Sequence, residues 1–227
     1  MSSQRAKAKP QVRHRILIVD DHPITRYGMS QLFQLEPDLE VCGEAEDATQ
    51  AISLLPVLRP DLVVCDLTLP GKHGLECLKD VQALFPDLAV LVVSMHDEEF
   101  YAERVLRAGG RGYLMKQAGG EELIRAVREV LGGRIYLSKR MSENALHVFS
   151  GRHSKSALPT RNLTDREFQV FQCLGQGMTS REIGAALHMG RKTVETHRRH
   201  VREKLALKSS PDLIKYAVRW MASQPAG

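Results

Sequence analysis

The chain of 227 residues is poor in aromatics, at 5%, and has a single tryptophan. Its cores must therefore be mostly aliphatic. Cysteines are few: Cys42, Cys65, Cys77 and Cys173 are scattered and form no C-x-x-C pair. That spacing argues against a disulfide framework. Cys42, Cys65 and Cys77 each sit in an apolar run and read as small buried hydrophobes, which suits a reducing cytoplasm. Long apolar runs are missing as well. No stretch approaches the roughly 20 apolar residues of a membrane span, so no membrane partner is expected. The opening, Met1–Arg15, is basic like the start of a signal peptide. The apolar run behind it, Ile16–Val19, is far too short for one and ends in two aspartates.

Hydrophobic residues make up 43%, enough for two separate cores, and the length suits one large domain or two ordinary ones. The net charge of +5 hides a split. Arg13 to Arg134 holds 13 Lys and Arg against 20 Asp and Glu, a net of −7. Arg161 to the end holds 12 against 6, a net of +6. An acidic half joined to a basic half says that the C-terminal part meets a polyanion and the N-terminal part does something else.

The first half alternates short apolar runs with amphipathic segments. The runs are Ile16–Val19, Glu40–Gly43, Leu62–Cys65, Val90–Val93 and Gly112–Met115. Three are continuous β-branched or leucine blocks, the pattern of parallel strands buried on both faces. Helices are expected at Pro23–Leu35, Ala48–Leu55, Gly74–Leu84, Glu98–Ala108 and Glu121–Leu131. Five β-α units in about 120 residues predict an α/β fold, a doubly wound five-stranded parallel (βα)5 domain.

Gly132-Gly133 closes the last of these helices. Tyr136–Thr160 then reads as a connector, with a short helix allowed at Lys139–Phe149. The remainder is all helical. Thr164 with Glu167 makes a capping box, and Leu163 with Phe168 a hydrophobic staple. Thr179 with Glu182 repeats the device for a second helix, ending near Leu187. A third runs from about Arg191 to Leu205 behind Gly190. A fourth starts at Ser210-Pro211, with proline at the first helical position. The expected organisation is a basic disordered tail at 1–12, an α/β domain at 13–135, a linker at 136–160, a four-helix domain at 161–222 and a tail at 223–227.

In a doubly wound sheet, ligands sit at the carboxyl ends of the strands. Asp20 and Asp21 follow the first strand directly, and Asp66 follows the third. Those strand ends lie side by side, so three carboxylates converge. Three like charges together call for a cation or for protons, and hard oxygen ligands suit Mg²⁺. Ser94 after the fourth strand and Lys116 after the fifth add a hydroxyl donor and an ammonium. A phosphoryl group attached to a carboxylate needs both. Taken singly, Asp21 reads as a helix cap, Asp66 as a turn residue and Lys116 as a surface charge. The order of the four strand ends carries the signal.

Ile18-Val19-Asp20-Asp21-His22, Cys65-Asp66-Leu67-Thr68-Leu69-Pro70-Gly71 and Gly112-Tyr113-Leu114-Met115-Lys116 resemble the signature segments of response-regulator receiver domains, over about residues 13–135. The resemblance implies that Asp66 accepts phosphate from a phosphohistidine on a sensor histidine kinase. It implies Mg²⁺ held by Asp21, Asp66 and the backbone carbonyl of Thr68, with Asp20 acting through water. Ser94 would bond the phosphoryl oxygen, Tyr113 would swing inward behind it, and Lys116 would pair with the phosphate. Many receivers carry proline after this lysine, often in cis, whereas Gln117 stands here. An aspartyl phosphatase of the haloacid dehalogenase type is the rival reading. It wants a second aspartate two residues after the nucleophile, where this chain has Thr68. The chain is therefore not expected to be an enzyme beyond assisting its own phosphotransfer and dephosphorylation.

In the third C-terminal helix Val194, Val201 and Leu205 form an inward stripe. Lys192, Glu195, Thr196, Arg199 and Glu203 face the other way, with Arg202 nearby. A helix-turn-helix offers such a face to the major groove while basic neighbours grip phosphates. Residues 163–217 are similar to the helix-turn-helix of the NarL/FixJ (LuxR-type) regulators: Leu163-Thr164, Arg166-Glu167, Glu182-Ile183, Thr193-Val194, His197 and Lys204-Leu205 match its pattern. The similarity implies promoter DNA as partner, base-facing positions at Glu195, Thr196 and Arg199, and further contacts from Lys192, Thr193, Arg198 and Arg202. It implies a homodimer on phosphorylation or on DNA, formed through the last helix at Pro211–Met221. His197 and His200 are three apart, but no third ligand is spaced to complete a metal site, so packing and DNA-facing roles are expected. A phosphorylation-controlled transcriptional regulator in the cytoplasm is the expectation. A phosphorylation-independent DNA-binding protein, in which the acidic domain only dimerises, is opposed by the intact set Asp20, Asp21, Asp66, Ser94 and Lys116. A phospho-relay protein without a DNA role is opposed by the basic C-terminal half. An autoinducer-binding regulator would share that half only.

Glu195 replaces the more frequent lysine. A carboxylate cannot accept from guanine O6 or N7, but it accepts from cytosine N4. Glu195→Lys should therefore change the DNA sequence selected from a random pool rather than tighten binding to every duplex. An unchanged selected sequence would sink the assignment.

Overall fold

The apolar blocks become five strands: β1 (His14–Val19), β2 (Leu39–Ala45), β3 (Leu62–Cys65), β4 (Ala89–Ser94) and β5 (Gly112–Met115). In this computed structural model they form one sheet in the order β2-β1-β3-β4-β5, with every neighbouring pair parallel. The structure describes residues 13–143 and 159–222. The expected tails at 1–12 and 223–227, and residues 144–158 of the expected linker, lie outside the described residues. The helix allowed at Lys139–Phe149 is described, and helical, only over 139–143.

Five helices follow the strands: α1 (Pro23–Gln34), α2 (Ala48–Leu58), α3 (Gly74–Leu84), α4 (Glu98–Arg107) and α5 (Gly120–Leu131). Ile16, Leu17, Ile18 and Val19 are all fully buried, because a strand in the middle of a parallel sheet is covered on both faces. Ile16, Ile18, Leu62, Val64, Leu91 and Val93 meet α1 and α5 through Met29, Phe33, Leu123 and Val127. The strand residues between them turn to the other face by the two-residue period, where α2, α3 and α4 pack in succession.

One expectation needs correction. Tyr136 does not begin a free connector. It forms a parallel bridge with Gly112, its carbonyl accepts from the Tyr113 amide at 3.1 Å, and its ring joins the core. The unpaired edge of β5 explains this, since an open row of backbone groups is satisfied by any strand laid beside it. The first compact unit accordingly runs to Ser142, and the second begins at Glu143.

The second unit holds α6 (Asp165–Gly175), α7 (Ser180–Ala186), α8 (Arg191–Lys204) and α9 (Ser210–Ala222). Both capping boxes are formed, Thr164 with Glu167 and Thr179 with Glu182. Leu163, Phe168, Phe171, Leu174, Ile183, Val194, Val201, Leu213 and Ala217 are buried, while Leu205 is only half-buried. Trp220 meets Phe168 and Phe171 edge-on, at 5.7 and 5.3 Å between ring centroids. Tyr216 also packs on Phe171, at 5.9 Å between centroids, so this aromatic cluster joins α9 to α6.

Glu167 does more than cap. It is buried, its Oε2 accepts from the Thr164 amide at 2.7 Å, and the Lys204 ammonium donates to the same oxygen at 2.6 Å. Burial opposes its charge, but Lys204 and the Thr164 backbone outweigh burial and hold the carboxyl below the usual Glu range. A depressed folded-state pKa contributes stability that is full above the unfolded value of about 4.3 and is lost as pH falls through the folded value. Glu167→Gln should cost about 1–3 kcal/mol at neutral pH. It should also flatten the acid-side loss of stability, as followed by Trp220 fluorescence during unfolding. A wild-type midpoint that falls on acidification no faster than the variant's contradicts this role.

Candidate functional site

The carboxyl ends of β1 and β3 are adjacent because Val19 pairs with Cys65. Asp20 and Asp66 therefore emerge side by side, and both are buried, at 1% and 3% exposure. β4 and β5 bring Ser94 opposite Met115, so Lys116 leaves the sheet on the same edge. Its ammonium lies 2.7 Å from Asp20 Oδ2 and 2.8 Å from Asp66 Oδ2. Burial works against that charge, but Asp20 and Asp66 outweigh it and raise the Lys116 pKa above its ordinary value.

Asp66 Oδ1 accepts the Leu67 amide at 2.6 Å, and Asp20 Oδ1 accepts the His22 amide at 2.8 Å. Asp20 Oδ2 and Asp21 Oδ1 are enclosed, the first against the Lys116 ammonium and the second against the His22 ring. Three carboxylates crowded around one ammonium remain costly unless a further cation meets them. Ligand atoms of Asp20, Asp21, His22 and Asp66 all lie within 4.8 Å of one another. This donor set fits a metal, and its oxygens suit a hard divalent cation. His22 had no role in the sequence reading. Its Nδ1 lies 2.6 Å from Asp21 Oδ1, and the signal for it was its place directly behind the aspartate pair. Thr68 sits exposed in the loop after β3, with Oγ1 3.3 Å from His96 Nε2.

Ser94 and Tyr113 are fully buried. The phenol expected to swing inward is inside in this structure, donating to the His96 carbonyl at 2.7 Å, and burial pushes its pKa well up. The His96 amide reaches Ser94 Oγ at 3.4 Å, and its ring stacks on Tyr101 of α4 at 4.8 Å between centroids. Burial lowers the imidazole pKa against the opposing charge of Asp66. At the start of α4, Glu98 accepts from the Ser138 hydroxyl at 2.7 Å, and Glu99 pairs with Arg140 at 2.7 Å. Lys116–Ala118 form a 3-10 turn, and no peptide is cis among the described residues.

In the second unit, Lys192, Thr193, Glu195, Thr196 and Arg199 stand exposed on α8, and Arg202 is half-buried. Arg198 instead turns inward to the Ser180 hydroxyl. His197 is half-buried with Nδ1 unpartnered, and His200 Nδ1 lies 3.8 Å from Glu167.

Residues 16–128 match the response regulator receiver domain family, and residues 161–217 match the luxR family of bacterial regulatory proteins. The oxygen regulatory protein NreC of Staphylococcus carnosus (strain TM300) is 36% identical over 210 residues, 90% of this chain and 97% of that one. A solved two-component response regulator of the LuxR family from Aurantimonas sp. SI85-9A1 is 34% identical, with a TM-score of 0.57 over 61% of this chain and 99% of that one. A solved RcsB–DNA complex is 25% identical, with a TM-score of 0.63 over 90% and 98%. These likenesses define the chain as a response regulator. It belongs to the NarL/FixJ family, in which a receiver domain precedes a luxR-type helix-turn-helix.

The start of α3 controls where Asp66 sits. A Cβ on Gly74 would stand 2.1 Å from the Asp66 carbonyl oxygen and 2.6 Å from Leu67 Cα, both backbone atoms. Gly74→Ala must therefore displace Asp66 or α3. It should destabilise the receiver by about 1–3 kcal/mol, read as a lower unfolding midpoint. Unchanged stability would remove Gly74 from this role.

Proposed function

We propose that this chain is a transcriptional regulator whose DNA binding is switched by phosphorylation of Asp66. The reading rests above all on one observation: Lys116 reaches two nearly buried carboxylates, Asp20 and Asp66, at neighbouring strand ends. An Asp66 carboxylate oxygen attacks the phosphorus of a phosphohistidine on a sensor histidine kinase. The O–P bond forms, the N–P bond breaks, and the imidazole leaves. Lys116 then exchanges part of its contact with Asp66 for the new phosphoryl oxygens, which are strong acceptors. Ser94 supplies a hydroxyl donor from the adjacent strand end. A divalent cation, Mg²⁺ in this reading, held by Asp20, Asp21, Asp66 and the Thr68 carbonyl, would neutralise charge on the phosphoryl group. The chain's own chemistry is confined to uptake and loss of this group, so it is not otherwise an enzyme.

Ser94 meets the His96 amide, Tyr113 meets the His96 carbonyl, and the His96 ring rests on Tyr101 of α4. A shift of Ser94 toward a phosphoryl group thus pulls on the segment that begins α4. Through Glu98 and Glu99 it reaches Ser138 and Arg140, from which the chain runs on to the helix-turn-helix. NreC is by name an oxygen regulatory protein and RcsB was solved on DNA. Those likenesses, with the +6 charge of the C-terminal half, support promoter DNA as the partner. Two copies would bind half-sites about one helical turn apart. Among the described residues no helix is long and apolar enough to cross a membrane. The four cysteines are free, and we place this function in the cytoplasm.

Acetyl phosphate with Mg²⁺ tests the switch. Wild type should gain one phosphoryl group by mass, with tighter DNA binding, and Asp66→Asn should gain neither. If neither protein gains mass and both bind DNA equally, the switch does not exist.

A further inference from the structure

The polar residues of α8 divide in two. Glu195 is 51% exposed along its side chain, whereas Arg198, one turn later, is 16% exposed. Arg198 Nη1 donates to the Ser180 hydroxyl at the start of α7 and to Glu195 Oε1 at 3.4 Å. Ser180 is itself buried, and Arg198 Nε is enclosed. Arg198 and Glu195 line one cavity of about 470 Å³ with Arg181 and Arg191. The guanidinium is thus built into the joint between α7 and α8 and is not spread over the outer face.

We infer that Arg198 is a positioning residue: it aims the Glu195 carboxylate at a base edge and so sets the base preference of this helix-turn-helix. The inference rests on the DNA-binding reading above. A glutamate on an open helix face samples many rotamers, and DNA phosphates repel its charge. A guanidinium three residues on restrains the rotamer and offsets the repulsion. Because Ser180 holds the same guanidinium, the carboxylate is referred to α7 as well as to its own helix. So held, Glu195 accepts from cytosine N4 and rejects guanine, whose groove edge offers it only acceptors. A phosphate-gripping arginine would behave differently. It would add affinity for every sequence and add about 0.9 to the slope of log affinity against log salt.

The test uses the full chain and the duplex it selects from random-sequence DNA, with all four base pairs tried at the position that Glu195 reads. Arg198→Met should cut discrimination there about tenfold while leaving the salt slope unchanged. In a Glu195→Ala background, Arg198→Met should cause no further loss at that position. Ser180→Ala leaves the charge and removes the anchor. It should give a partial loss of discrimination with the same slope, and it covers the case in which Arg198→Met fails to fold. A slope reduced by about one with discrimination intact overturns the inference and makes Arg198 a phosphate contact. The same loss with and without Glu195 overturns it too. A wild-type chain that selects no sequence overturns the DNA-binding reading itself, and this inference with it.

Discussion

Lys116 lies between Asp20 and Asp66, and the rest of the receiver depends on that contact. Two carboxylates at 1% and 3% exposure and one ammonium leave an excess of negative charge inside the protein before Asp21 is counted. Removing such charges from water is costly, and pairing alone seldom recovers the cost. A fold selected for stability alone would place apolar groups there. The arrangement makes sense as a place for a transient group. A cation at the Asp20 and Asp21 oxygens would lower the excess, and a phosphoryl group on Asp66 would give Lys116 a better partner. Strand order then becomes a chemical matter. β1 beside β3 brings two aspartates together, and β4 and β5 next in line bring Ser94 and Lys116 to the same edge.

Much of this was legible in the sequence because parallel strands advertise themselves. Leu62–Cys65 and Val90–Val93 are unbroken apolar blocks, and the groups at their ends stand out against them. The capping boxes at Thr164 and Thr179 were equally plain, since each is a local pattern four residues long. What escaped was non-local. Tyr136 looked like the start of a linker because nothing nearby shows that β5 has an open edge for it to cover. Arg198 looked like one more basic residue on a basic helix, because Ser180 lies 18 residues away. The resemblance implied an inward Tyr113, but not its partner, the His96 carbonyl 17 residues before it. The role of Gly74 depends on how closely α3 approaches the Asp66 backbone, a distance that no pattern of residue types encodes.

The two halves treat charge in opposite ways. The receiver hides its functional charges at strand ends, where low polarity sharpens them. The helix-turn-helix keeps its basic side chains in solvent and buries charge only where it orders structure. Glu167 joins the start of α6 to Lys204 at the end of α8, and Arg198 joins α7 to the middle of α8. Both internal links end on α8, the helix expected to carry the base-facing positions. Rigidity at that helix matters more than additional charge, because phosphate contacts set how tightly a protein binds while the placement of base-facing groups sets where.

Phosphorylation would replace the single charge of the Asp66 carboxylate by the roughly −2 of an acyl phosphate, a net gain of about one negative charge. Asp66 is nearly buried, so mobile ions screen it little, but Lys116 with a bound cation would cancel much of the added charge locally. The long-range field of the phosphoryl group is weakened by that pairing. Contact offers the more direct route, and the contacts run in one direction. Ser94 and Tyr113 both engage the His96 backbone, the His96 ring lies on α4, and the acidic start of α4 holds Ser138 and Arg140. A packed interior shifts between discrete arrangements and does not deform smoothly. The small movement that a hydroxyl makes toward a phosphoryl oxygen can thus be converted into a choice of whether residues 138–140 stay attached to α4. In such a device the energy comes from the chemistry at Asp66, and the direction of the response comes from His96 being gripped from both sides.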